Sequence, residues 1–214
     1  MPPRTYWRPA QGEPTVTLLL RHGQTPMSVQ KRYAGRSDVP LTDVGVQQAA
    51  GAAKRLASAG IAVIVTSPLL RAVQTAQEVA AVTGAAVVND DGFRETDFGA
   101  WEGLTFAEVR ERWPAELAAW LADPQVAPPG GESFTDVSAR VTAALHRVLG
   151  ARAGQTVLIV SHVTPIKTLV ATALLAPPAA LYRMHLDVAA LSEIDWYADG
   201  PALLRSFNDT SHLS

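Results

Sequence analysis

Cysteine is absent from all 214 residues of this chain. Its absence excludes a disulfide framework, thiolate zinc sites and a cysteine nucleophile together, and it fits a reducing compartment. There is no excess of charge: 18 Lys and Arg stand against 20 Asp and Glu, for a formal net charge of -2. A chain so balanced has no basic field that would hold a phosphate backbone regardless of sequence, so no nucleic acid is expected as a partner of this domain. No apolar stretch reaches the roughly 20 residues that a membrane span needs, and Met1 to Pro14 lacks the apolar core of a secretion signal. A soluble, cytoplasmic protein with no membrane association is therefore expected. Internal repeats, blocks of like charge and close-spaced metal-ligand motifs such as His-Glu-x-x-His are missing as well.

What remains is a chain with 48% hydrophobic residues, enough for a full core in one domain. Residues 1–14, with Pro2, Pro3, Pro9 and Pro14, read as a tail or the remnant of an interdomain linker, and the folded domain is expected over 15–214. Three short apolar runs, Val16–Leu20, Ile61–Val65 and Thr156–Val160, do not alternate with polar residues, as expected of central strands covered on both faces. Helical patterns separate them. Thr42 caps one, with Val46, Ala49, Ala50, Ala53 and Leu56 inward and Gly60 closing it. Ser67 and Pro68 open a second, which continues through Val73, Ala76, Gln77 and Ala80 to Gly84. Ser133 and Asp136 form a capping box for a third, whose stripe is Phe134, Val137, Val141, Leu145 and Val148, ending at Gly150. A short strand is expected at Ala86–Val88, and an edge hairpin from Leu191–Tyr197 and Ala202–Phe207 around Asp199-Gly200. Alternating strands and helices predict a three-layer α/β/α sandwich on a mostly parallel sheet, with 106–131 inserted over one end as a helical lid.

Ligands of open α/β sheets bind outside the carboxyl ends of the strands. Arg21-His22-Gly23 comes after the first run, Ser67 and Arg71 after the second, and Ser161-His162 after the third, so these groups converge on one rim. Two arginines and two histidines in one crevice suit a tetrahedral oxyanion, because arginine presents paired donors that match phosphate. The glycine-bounded segment Phe93–Gly103 adds Glu95, Asp97 and Glu102, one of which serves as proton donor while the others cap turns. His146 and His185 read as structural or surface residues, His212 is left without a role, and Trp101 reads as support for the Glu95 loop.

Taken in order, Leu20–Thr25, Gly35–Thr42, Ser67–Ala76, Arg94–Gly103, Gly130–Ser133 and Val160–His162 resemble the histidine phosphatase superfamily, also called the phosphoglycerate mutase-like family. The resemblance implies the fold of that family and a phosphomonoesterase that works through a phosphohistidine. By position it implies His22 as nucleophile, Arg21, Arg71 and His162 as phosphate ligands, and Glu95 as general acid and then base. Gln24, Thr25, Ser28, Arg36 and Val163 are the substrate-binding candidates. Ser28 departs from the asparagine that many members have there, and Arg36 has a competing reading as a surface partner of Asp38 or Asp43. No cofactor and no metal is implied, since the arginines supply the charge. Ser161–Lys167 and Asn208–Leu213 look most like alpha-ribazole phosphatases, and like the phosphatase domain that comes after a ribonuclease H domain in some actinobacterial proteins. The implied partners are a small phosphorylated metabolite and, in the parent protein, an N-terminal ribonuclease H domain. Three other readings compete. A phosphoglycerate mutase needs a second basic site for phosphate, a non-catalytic phosphate-binding module gives no turnover, and a metallohydrolase on His22, His162 and a carboxylate is stopped by chelators.

Overall fold

The computed structural model describes residues 12–213, so most of the Pro-rich stretch expected to be a tail or linker lies outside the described residues. The three apolar runs form β1 (Thr15–Arg21), β2 (Ile61–Thr66) and β4 (Thr156–Ser161), with a short β3 (Val87–Asn89) and the hairpin β5 (Leu191–Trp196) and β6 (Ala202–Asp209). They make one six-stranded sheet in the order β3-β2-β4-β1-β5-β6. Pairing is parallel from β3 to β1 and antiparallel from β1 to β6. The ends of β2, β4 and β1 therefore lie side by side.

Because strand side chains alternate between faces, the same strands feed two cores. Leu19, Val63, Val65, Val157 and Ile159 pack with α6 (Phe134–Ala151) and α7 (Val163–Ala173) on one face. Leu18, Leu20, Ile64, Leu158 and Val160 pack with α2 (Asp43–Leu56) and α3 (Leu70–Thr83) on the other. This is the three-layer arrangement, and it explains why the runs do not alternate with polar residues. Over the carboxyl ends of the strands, a third cluster gathers Phe98, Trp101, Leu117, Trp120, Phe134 and Leu181. It draws on the inserted helices α4 (Phe106–Arg112) and α5 (Pro114–Ala122), as expected of a helical lid. The remaining helix, α1 (Pro26–Val29), is a single turn just after β1.

Local signals held for α6, whose Ser133–Asp136 capping box is present, and for α2, capped by Thr42. Two faces differ from expectation. In α2, Val46 is exposed and Gly45 and Ala52 are buried, because Gly45 abuts the turn after β1. A Cβ on Gly23 would collide with the Gly45 carbonyl oxygen, and one on Gly45 with that of Gln24, so two chains cross here at backbone contact. In α3 the buried side is Arg71, Ala72, Thr75, Ala76 and Val79, while Val73 is half-buried and Gln77 exposed. Ser67 does not cap α3: Leu69 stands at the N-cap, and the Ser67 hydroxyl accepts from Leu69 N at 3.3 Å while meeting His162. Gly84 closes the helix in the left-handed region, at φ 70°.

Gly23→Ala is expected to destabilise the protein by about 1–3 kcal/mol, the usual range for forced overpacking, since the obstructing atom is backbone. A urea titration against the unaltered chain measures it.

Candidate active site

The site grows out of the turn that ends β1. His22 N donates to Ser161 O at 3.0 Å, and His22 O accepts from Ala189 N at 3.0 Å, so the backbone of this residue is tied to β4 on one side and to the approach to β5 on the other. Its ring Nδ1 lies 2.8 Å from Gly23 O. A carbonyl can only accept, so Nδ1 carries the proton and Nε2 keeps a free lone pair. Burial, reinforced by the charges of Arg71 and Arg21, holds the His22 pKa well below the usual imidazole value.

His162 tilts against His22 with ring centroids 5.1 Å apart. Its Nε2 meets Ser67 Oγ at 2.7 Å. Among the described contacts the hydroxyl's own proton has no acceptor other than Nε2, so it points there and leaves the His162 proton on Nδ1. His162 is likewise pushed well below the ordinary value, first by burial and then by Arg71, His22 and Arg21. Arg71 is fully buried, with Nη1 donating to Ser37 O at 2.7 Å and Nη2 to Ala34 O and Gly35 O at 2.9 and 3.0 Å. Arg21 gives Nη1 to Leu186 O at 2.6 Å, and burial lowers its pKa to about 10, which leaves it cationic. Arg21 Nε, Arg71 Nε and His162 Nδ1 are buried without a hydrogen-bond partner. Buried donors are normally paired, so this cluster beside a neutral imidazole suits an anion.

The Glu95 carboxylate sits on the first turn of α7. Its oxygens accept from Val163 N at 3.0 Å, Thr164 N at 3.2 Å and Thr96 N at 2.9 Å. The positive end of a helix and its free N–H groups suit a carboxylate in this position. Glu95 belongs to a loop that Arg140, from α6, pins by donating to the carbonyls of Gly92, Arg94 and Glu95 and to the Glu132 carboxylate. Its two rivals are occupied elsewhere. Glu102 accepts from Gly35 N, Arg36 N and Ser37 Oγ, and Asp97 accepts from Gly99 N and pairs with Arg36 at 2.8 Å.

Arg21, His22, Thr25, Ser28, Glu95 and Val163 line one cavity of about 320 Å³. Arg71 and His162 do not line it; they back His22 from within the core. Ser28 closes the capping box of α1 with Thr25. Gln24 lies outside the cavity, and its Oε1 accepts from the Thr42 hydroxyl at the cap of α2. Arg36 is largely exposed and engaged with Asp97, neither of the surface partners expected from the sequence. His146 is exposed, and His185 pairs with Asp187. His212 Nε2 donates at 2.9 Å to the carbonyl of Ala189, the residue whose N–H ties His22. Trp101 is fully buried in the lid cluster. The cavity also takes in Arg32, Tyr33, Phe98, Trp120, Phe134, Lys167 and Tyr182.

The two buried neutral imidazoles set a pH dependence. Below about 6.5 the unfolded chain binds protons on both, and the folded chain does not, so stability falls as pH falls from that value toward the depressed folded pKa values. The expected slope is about 1.4 kcal/mol per pH unit for each histidine. Denaturation curves at pH 7, 6 and 5 measure it, and His22→Ala is expected to remove about half.

The model of the histidine phosphatase superfamily, branch 1, matches residues 17–210. The chain is 52% identical over 208 residues to "Bifunctional protein Rv2228c" of Mycobacterium tuberculosis, covering 97% of this chain and 57% of that one. It thus spans little more than half of the curated relative it matches. Among solved structures, a mycobacterial glucosyl-3-phosphoglycerate phosphatase, Rv2419c with VO3, superposes with a TM-score of 0.84 at 32% identity, over 91% of this chain and 99% of that one. A putative alpha-ribazole-5'-P phosphatase of Escherichia coli gives 0.84 at 28% identity, over 92% and 97%. With the sheet and the family match in agreement, the chain belongs to the histidine phosphatase superfamily, branch 1, in its phosphoglycerate mutase-like fold.

Proposed function

We propose that this chain is a metal-independent phosphomonoesterase that hydrolyses a small phosphorylated metabolite through a phosphohistidine on His22. The observation that carries this reading is the set of unpartnered buried donors, Arg21 Nε, Arg71 Nε and His162 Nδ1, around an imidazole whose Nε2 is free. A phosphomonoester dianion repels nucleophiles, so its equatorial oxygens must be held and neutralised while the in-line path stays open. Arg21 does that at the cavity wall, and Arg71 and the His162 N–H add charge and a donor from behind His22, which is the task a metal performs in other phosphatases. With Glu95 starting in its protonated form, His22 Nε2 attacks phosphorus, the bond to the alcohol oxygen breaks, and Glu95 gives that oxygen its proton. Water then attacks the phosphohistidine, Glu95 takes the water proton, and the phosphorus–nitrogen bond breaks to restore His22.

The low pKa of His22 keeps the nucleophile unprotonated under mildly acidic conditions, in keeping with an acid phosphatase. Alpha-ribazole 5'-phosphate is the substrate we name first, on the likeness to the Escherichia coli protein, and a sugar phosphate or a nucleotide is tested beside it. We read the chain as the phosphatase part of a longer cytoplasmic protein whose N-terminal part is a ribonuclease H domain, in line with the bifunctional relative. Hydrolysis is favoured over mutase action because, of the cavity cations outside the cradle, Arg32 is already paired with Glu108 at 2.9 Å, which leaves Lys167 alone for a second anion. Phosphate release from a panel of phosphomonoesters, with and without excess chelator, tests the reading. Turnover that survives chelation supports it. Turnover that chelation stops, or phosphoryl transfer to a phosphoglycerate instead of to water, overturns it.

A further inference from the structure

Lys167 lines the cavity from α7, yet among the described residues it has no carboxylate partner. Its ammonium makes one long hydrogen bond, 3.3 Å to Leu181 O, which leaves donors unused. The residue is half-buried, and desolvation lowers its pKa, with Glu95 opposing and Arg21 adding to that effect. An ammonium kept partly out of water with so little compensation favours an anion at its tip. The other cations of the cavity are accounted for: Arg21 belongs to the cradle, and Arg32 is paired with Glu108 and bound to Gly103 O.

Position matters as much as charge. Lys167 stands one helical turn beyond Val163, about 6 Å further along α7, and both line the cavity together with Glu95. The acid stands where the alcohol oxygen leaves, so a group one turn beyond it faces the rest of the alcohol. The same cavity has an apolar wall that includes Phe98, Trp120, Phe134 and Tyr182.

We infer that Lys167 is a specificity-determining residue that receives an anionic oxygen group, a carboxylate or second phosphoryl, on the alcohol part of the substrate. This rests on the phosphomonoesterase reading and narrows its substrate class to esters that carry a second anion, set apart from the transferred phosphate by an apolar body.

The test compares phenyl phosphate with the same ring bearing a carboxylate, and with a ring bearing a second phosphate, on the full chain and on Lys167→Met and Lys167→Arg. The unaltered chain is expected to favour an anionic ester in kcat/KM by about tenfold or more, the size of a charge-assisted hydrogen bond. Lys167→Met should lose that preference, mainly through KM, and Lys167→Arg should keep most of it. Whichever anionic ester gains more identifies the group. A purely structural Lys167, linking α7 to the turn at Leu181, would lower all esters together and leave the ratio unchanged, which overturns the inference. So does an unaltered chain with no anionic preference. Failure of the underlying reading looks different, because then none of the esters is turned over.

Discussion

His22→Ala is expected to reduce kcat for aryl phosphate hydrolysis by about 10⁴-fold or more, since a covalent route without its nucleophile leaves only what binding and charge provide. The variant should fold. The ring makes its only described hydrogen bond to the adjacent residue, Gly23 O, while the bonds that position the turn, to Ser161 O and from Ala189 N, come from the backbone and stay. A small cavity and the loss of a buried imidazole change stability by far less than the chemistry. Quenching the unaltered enzyme during turnover of labelled substrate should trap acid-labile phosphate on the protein, and the variant should trap none. Activity within tenfold of the original in His22→Ala, with the same labelling, would remove His22 from the reaction.

Glu95→Gln should fall next in order of effect, with kcat lowered by about 10²–10⁴-fold on alkyl phosphates, the usual contribution of a positioned general acid. The exchange keeps the volume but not the bonding. Both carboxylate oxygens accept backbone N–H groups of Thr96, Val163 and Thr164, and an amide would turn its own N–H₂ toward one of these donors. The dependence on leaving group separates chemistry from displacement. A nitrophenolate leaves without a proton, so its departure should survive while hydrolysis of the phosphohistidine slows, giving a burst and then a slow phase. Equal losses on alkyl and nitrophenyl esters, with no burst, would make Glu95 a positioning residue and not the acid.

The parts of this site that could be seen in the sequence are those built by local rules. Runs such as Thr156–Val160 are strands because their β-branched residues fit a sheet covered on both faces, and the residues directly after a parallel strand emerge at its carboxyl end. Arg21, His22, Ser67 and His162 were legible for that reason. The inward face of α3 was legible only in part, at Arg71 from its place just after the second strand. Its buried side includes Arg71 and Thr75, polar residues held inside by Ala34 O, Gly35 O, Ser37 O and Gly23 N, and a hydrophobic count reads such residues as outward. Arg140 was invisible in the same way. On an amphipathic helix it looks like part of the solvated face, but its partners are carbonyls of the Glu95 loop, far away in sequence. Tyr33, Lys167 and Tyr182 come from three separate segments that the tertiary fold alone brings to the cavity. Glu102 fits a different pattern: its glycine-bounded loop was recognised, and its work of anchoring Gly35 to Ser37 emerged only from the pairing.

The aromatic cluster over the cavity packs as a core of its own, apart from the two that sandwich the sheet. Substitutions among Tyr33, Trp120 and Tyr182 can therefore reshape the ceiling while the strand ends that carry Arg21, His22 and His162 keep their register. The aromatic ceiling and the strand ends are separately packed parts of one chain, so an engineer could alter the first without rebuilding the second.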